Sequence, residues 1–118
     1  MSILGVAVLG FVFTATIIAL TPLWDKIKIW LNGHAANIVE KMFGYKARKN
    51  IYQAISKIDR LVDKIRQTSV IYTKEKPWDN FYHKVEITTT IDESELDYKI
   101  LDILNTEKSV EQKFEYKR

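Results

Sequence analysis

Residues 46–67 read KARKNIYQAISKIDRLVDKIRQ. Ile51, Ile58 and Ile65 occupy one heptad position, Ala47, Ala54 and Leu61 its companion, and Ile55 and Val62 widen the stripe. Apolar residues recurring at three- and four-residue spacing share one side of an α-helix, so the spacing predicts an amphipathic helix here. The opposite side carries Lys49, Gln53, Lys57, Arg60, Asp63 and Lys64 and reads as a basic solvent face. A stripe this wide suits packing on a sheet or bundle better than a two-stranded coil. Ile51, Ile58, Leu61 and Ile65 are therefore candidate packing or protein-interface positions.

Downstream the period changes to two. Val70-Ile71-Tyr72-Thr73 reads as a strand, residues 74–80 with Pro77 as a turn, and residues 83–91 as a strand with Val85, Ile87, Thr89 and Ile91 on one side. Asp92 and Glu95 form a helix-start box ahead of Leu96, Ile100, Ile103 and Leu104. Val110, Gln112, Phe114 and Tyr116 then alternate in a last strand. The expected fold class is α+β, with residues 45–118 forming a small domain whose C-terminal part is ββαβ.

Upstream, residues 22–44 are amphipathic. Ile27, Trp30, Leu31, Ala35, Ile38, Val39 and Met42 recur at helical spacing, Thr21-Pro22 suits a helix start, Gly33 could bend the helix, and Gly44 suits its end. Such a helix either packs on the domain or lies in a bilayer surface. The nearby tryptophans favour the surface, with Trp24 and Trp30 at headgroup depth and Lys26 and Lys28 reaching phosphates.

Residues 3–20, ILGVAVLGFVFTATIIAL, contain no charge. At 1.5 Å per residue they extend about 27 Å as a helix, close to the hydrocarbon thickness of a bilayer. Residues 1–21 are thus expected to form a transmembrane helix. No basic n-region precedes the apolar run, which argues against a cleaved signal peptide. Gly10 with Thr14, and Ala15 with Ala19, place small residues four apart, a pattern that lets membrane helices associate.

Charge follows the same organisation. Residues 1–24 have no charged side chain, residues 25–68 have ten Lys/Arg against four Asp/Glu, and residues 69–118 have eight against eleven. The basic block after the apolar segment predicts an outside N-terminus and a cytoplasmic domain.

Little in the chain carries catalytic chemistry. The absence of cysteine removes disulfides, thiolate metal sites and thiol nucleophiles. With four glycines, no phosphate-cradling loop can be assembled, and His34 and His83 are too few for a metal site. The acidic run at 92–97 suits a helix start better than paired acid–base catalysis. Trp78, Phe81 and Tyr82, beside Lys74, Lys76 and Lys84, form the best candidate recognition patch.

No enzyme activity, cofactor or small-molecule substrate is expected. The expected partners are a lipid bilayer and either other subunits of a membrane complex or further copies of the chain; nucleic acid is disfavoured. The expected role is a single-pass, anchored structural or assembly subunit. The alternatives are a phage-type membrane-lesion or lysis-regulating protein and a virion structural protein with a buried hydrophobic N-terminal helix.

Overall fold

The computed structural model describes residues 2–9 and 19–117. Strands β2 (Gln53–Arg60), β3 (Ile65–Thr73), β4 (His83–Ile91) and β5 (Ser109–Lys117) form an antiparallel sheet in the order β5-β2-β3-β4. Outside β5, β1 (Ser2–Leu9) runs antiparallel to it, with a register shift between Ile3 and Gly5. Helices α1 (Thr21–Trp30), α2 (Ala36–Phe43) and α3 (Tyr45–Lys49) precede β2, and α4 (Tyr98–Glu107) links β4 to β5. The fold class is α+β.

The helix expected over residues 46–67 is not formed. Its first residues make the short α3; the rest is the β2–β3 hairpin, closed by Leu61 N–H donating to the Lys64 carbonyl at 2.8 Å. The misreading has a physical cause. Ile51, Ala54, Ile58 and Ile65 satisfy helical spacing, yet Ala54, Ile58 and Ile65 also fit a strand alternation in which Ser56, Gln67 and Ser69 fill neighbouring inward positions. Those polar residues are buried, so a hydrophobicity pattern cannot register them. Isoleucine-rich sequence is also at home on a pleated, half-buried surface. Ile51, Ile58 and Ile65 are core residues at 0–1 % exposure, which removes them from any interface, and Leu61 is half-buried in the turn.

Helices α1 and α2 are continuous through a π-turn at Leu31–Ala35, centred on Gly33, where a bend was expected. This rod packs on the sheet. Leu20, Leu23, Trp24, Ile27, Leu31, Ala35 and Val39 are buried against the inward side chains of the strands. Trp24 meets Phe114 edge-on, with ring centroids 6.2 Å apart. The rod is therefore the domain's own packing helix, a correction to the bilayer-surface reading. The indole of Trp24 fills the core in place of headgroup space, because the sheet's inner side offers a larger apolar area than α4 alone can cover. Gly44 ends the rod at φ +95, ψ 176, a region open to glycine and strained for other residues.

The C-terminal expectations hold with one adjustment. β4 spans His83–Ile91 as read, and Val110, Gln112, Phe114 and Tyr116 of β5 face inward. Asp92 caps a 3₁₀ turn at Glu93–Glu95, whereas α4 starts later, under Asp97, whose carboxylate accepts from Lys99 N–H at 2.7 Å. Ile100 and Leu104 bury the inner face of α4.

Of the segment expected to form a transmembrane helix over residues 1–21, Ser2–Leu9 is instead an extended strand beside β5, and residues 10–18, with Gly10, Thr14 and Ala15, lie outside the described residues. Ala19 is half-buried at the entry to α1. No helix among the described residues is long and apolar enough to cross a membrane.

Candidate interaction site at the β3–β4 loop

Residues 74–82 connect β3 to β4. Pro77 starts a tight turn in which Asp79 N–H donates to the Lys76 carbonyl at 3.0 Å while the Asp79 carboxylate accepts from Lys76 N–H at 3.1 Å. The base of the loop is anchored: Asn50 donates its side-chain amide to the Glu75 carbonyl at 2.7 Å, and the Thr73 hydroxyl bonds the Ala47 carbonyl. His83 stacks on Phe43 at 4.3 Å between ring centroids and lies 3.7 Å from the Glu75 carboxylate.

The loop carries aromatic surface outward from this base. Trp78 is 76 % exposed, Phe81 88 % and Tyr82 56 %. Tyr82 continues a row of rings, 5.7 Å from Tyr72, itself 6.3 Å from Tyr52, and Lys74 holds its ammonium 5.3 Å from the Tyr52 ring. The loop therefore brings together Trp78, Phe81 and Tyr82 of the sequence-derived candidates, and separates them from Ile51, Ile58 and Ile65 in the core. Exposed tryptophan and tyrosine on an anchored turn supply contact area with little side-chain entropy to lose.

Of the four candidate lipid-facing residues, Trp24 and Lys26 have partners elsewhere in the domain, and Trp30 and Lys28 have theirs within the rod. Trp24 is buried, Trp30 is half-buried with its ring 5.8 Å from His34, Lys26 donates to the Glu95 carbonyl at 2.6 Å, and Lys28 lies 3.6 Å from Asp25.

Two features had no signal in the sequence. One is a cavity of about 230 Å³ between α1 and the inner side of β4, lined by Leu23, Ile27, Trp30, Thr89, Ile91 and Leu96 among others. The other is the position of β4 at a sheet edge, with β3 on one side and no strand on the other among the described residues. Among those residues no group of three His, Asp or Glu is placed to hold a metal ion. Comparison with protein-family models, curated proteins and solved structures finds no match to this chain.

Proposed function

We propose that this chain is a non-enzymatic, membrane-anchored accessory subunit. Its N-terminal apolar segment is the tether, and residues 74–82 are the surface offered to other subunits of a larger assembly. The observation that carries the reading is the exposure of Trp78, Phe81 and Tyr82 on a loop whose base is fixed to the domain.

The placement of the loop supports the same division of labour. The rod of residues 21–43 starts beside Glu95 and Leu96 and ends where Phe43 meets His83, so the loop lies at the pole opposite the chain's entry to the domain. A tether at Leu20 would leave that pole facing away from the bilayer. The burial of Leu20 supports a shorter tether. Leu20 is 2 % exposed within the core, so the span would run over residues 3–19, about 26 Å as a helix. The basic excess over residues 25–68 supports an outside N-terminus and a cytoplasmic domain.

Insertion of this segment and its pairing with β5 are alternative fates, since Ser2–Leu9 would serve both. The pairing favours a second reading, a virion or assembly protein whose apolar segment stays against protein. Alkaline carbonate extraction of native membranes separates the two: retention in the pellet supports the tether, and release supports the assembly protein. Purification in mild detergent then tests the subunit role. A stoichiometric complex that Trp78→Ala/Tyr82→Ala dissolves is expected; recovery of the chain with no partner subunit would refute it.

A further inference from the structure

We propose that β4 is the pairing edge for a second copy of this chain, the two β4 strands running antiparallel about a twofold axis at Val85. The proposal stands whether or not the N-terminal segment enters lipid.

Strand β4 presents nine residues with no proline and no bulge, hydrogen-bonded among the described residues to β3 alone. An unprotected edge of this length is a template for another strand, and natural edges usually carry a device against it. Here the two charges on the strand make pairing self-complementary. About an axis at Val85, Lys84 of each copy stands opposite the second copy's Glu86, giving two attractive cross-strand pairs on the exposed side of the sheet.

The same axis matches an exposed ring to a cavity. Tracing the alternation of Val85 and His83 back two residues puts Phe81 in phase with the inner, helix-covered side. Its counterpart across the axis is the second copy's Thr89, which lines the cavity of about 230 Å³ together with Leu23, Ile27 and Trp30. Phe81, 88 % exposed in the single chain, is then placed to enter that cavity against Leu23, Ile27 and Leu96, with the polar Lys26, Gln67 and Glu95 also in its lining, and symmetry makes the exchange reciprocal. A ring filling a desolvated pocket is the usual anchor of an interface. The competing axis at Ile87 sets Lys84 opposite Thr90 and Glu86 opposite Thr88, leaving both charges unmatched.

Sedimentation velocity of the full chain in mild detergent reads the outcome. The wild type is expected to be a dimer. Lys84→Glu and Glu86→Lys each place like charges opposite one another twice and should raise the dimer dissociation constant about tenfold or more. An equimolar mixture of those two variants restores both pairs and should dimerise at wild-type concentration. Phe81→Ala should weaken the dimer without changing the far-ultraviolet circular dichroism. The chain has no cysteine, so Lys84→Cys/Glu86→Cys should cross-link under oxidation, whereas Lys84→Cys/Thr90→Cys should not. A monomeric wild type, a dimer indifferent to charge reversal, or cross-linking only in the Thr90 pair would each overturn the proposal.

Discussion

Ser56 and Ser69 face each other across β2 and β3 with their hydroxyl oxygens 2.7 Å apart, both fully buried beneath the helical rod. Ser69 also accepts from the Gln67 side-chain amide at 3.1 Å, so three polar side chains on neighbouring inward positions satisfy one another. Their small size at Ser56 and Ser69 helps the rod approach the sheet. A buried hydroxyl left without its partner costs about 1–3 kcal/mol. Ser69→Ala removes the shared partner and strands both Ser56 and Gln67, whereas Ser56→Ala leaves the Gln67–Ser69 bond intact. Urea unfolding should therefore rank Ser69→Ala as the more destabilising of the two.

Trp24 distinguishes a packing helix from a surface-bound one. Its removal should destabilise the domain by about 3–5 kcal/mol, the usual cost of deleting a buried aromatic ring. Thermal melting of Trp24→Ala in mild detergent checks this, with Trp30→Ala, half-buried, losing less. An unchanged melting temperature for Trp24→Ala would return the rod to the bilayer surface.

The two described glycines near the rod predict opposite signs. Gly33 sits inside helical backbone with open space where a Cβ would go, and Gly33→Ala should stabilise by about 0.5–1 kcal/mol. Gly44 also has open space, but its φ of +95 makes Gly44→Ala unfavourable by about 1–3 kcal/mol from backbone strain alone. Chemical denaturation of both variants tests the pair, since sterics are equal and only the dihedral differs.

Asp92 gives a sign for acid sensitivity. The Ser94 backbone N–H and then its hydroxyl, each donating at 2.9 Å, hold the carboxyl below its ordinary value of 3.8. A lowered folded-state value means that this group's stabilisation is present above pH 3.8 and is lost as the pH falls through the folded-state value. Asp92→Ala should flatten that part of the stability profile below pH 3.8, and acid titration of the melting temperature should show a smaller decline than in wild type.

Acrylamide quenching tests the loop. With Trp78 76 % exposed and Trp24 6 %, the wild type should show a strongly quenched fraction that Trp78→Phe removes while Trp24 stays weakly quenched. Assembly with a partner that uses residues 74–82 should shield Trp78 and leave Trp24 unchanged.

The legible parts of the fold share a property. His83–Ile91, the β5 alternation from Val110 to Tyr116 and the amphipathic rod write their burial mainly in apolar residues, with Gln112 the polar member of β5's inward face, so one period is enough to read them. Residues 46–67 were illegible because three of the eight inward positions of the hairpin are serine or glutamine, polar side chains made burial-compatible by hydrogen bonds to one another within and across β2 and β3. The exposed loop was readable as aromatics flanking Pro77, but that its rings stay outside the core could not be inferred from composition.

By itself the sequence determined the α+β class, the rod and its end at Gly44, the strands at 83–91 and 110–116, and an uncharged N-terminal segment followed by a basic one. These follow from local periodicity, turn chemistry and charge, which need no knowledge of distant residues. The tertiary structure alone decided that residues 53–73 are a hairpin, that Trp24 serves the core, and that β4 stands at an edge beside a cavity. Each of those depends on pairing across the chain, where Ser56 finds Ser69 and Trp24 finds Phe114, and no local pattern specifies which partner a side chain will meet.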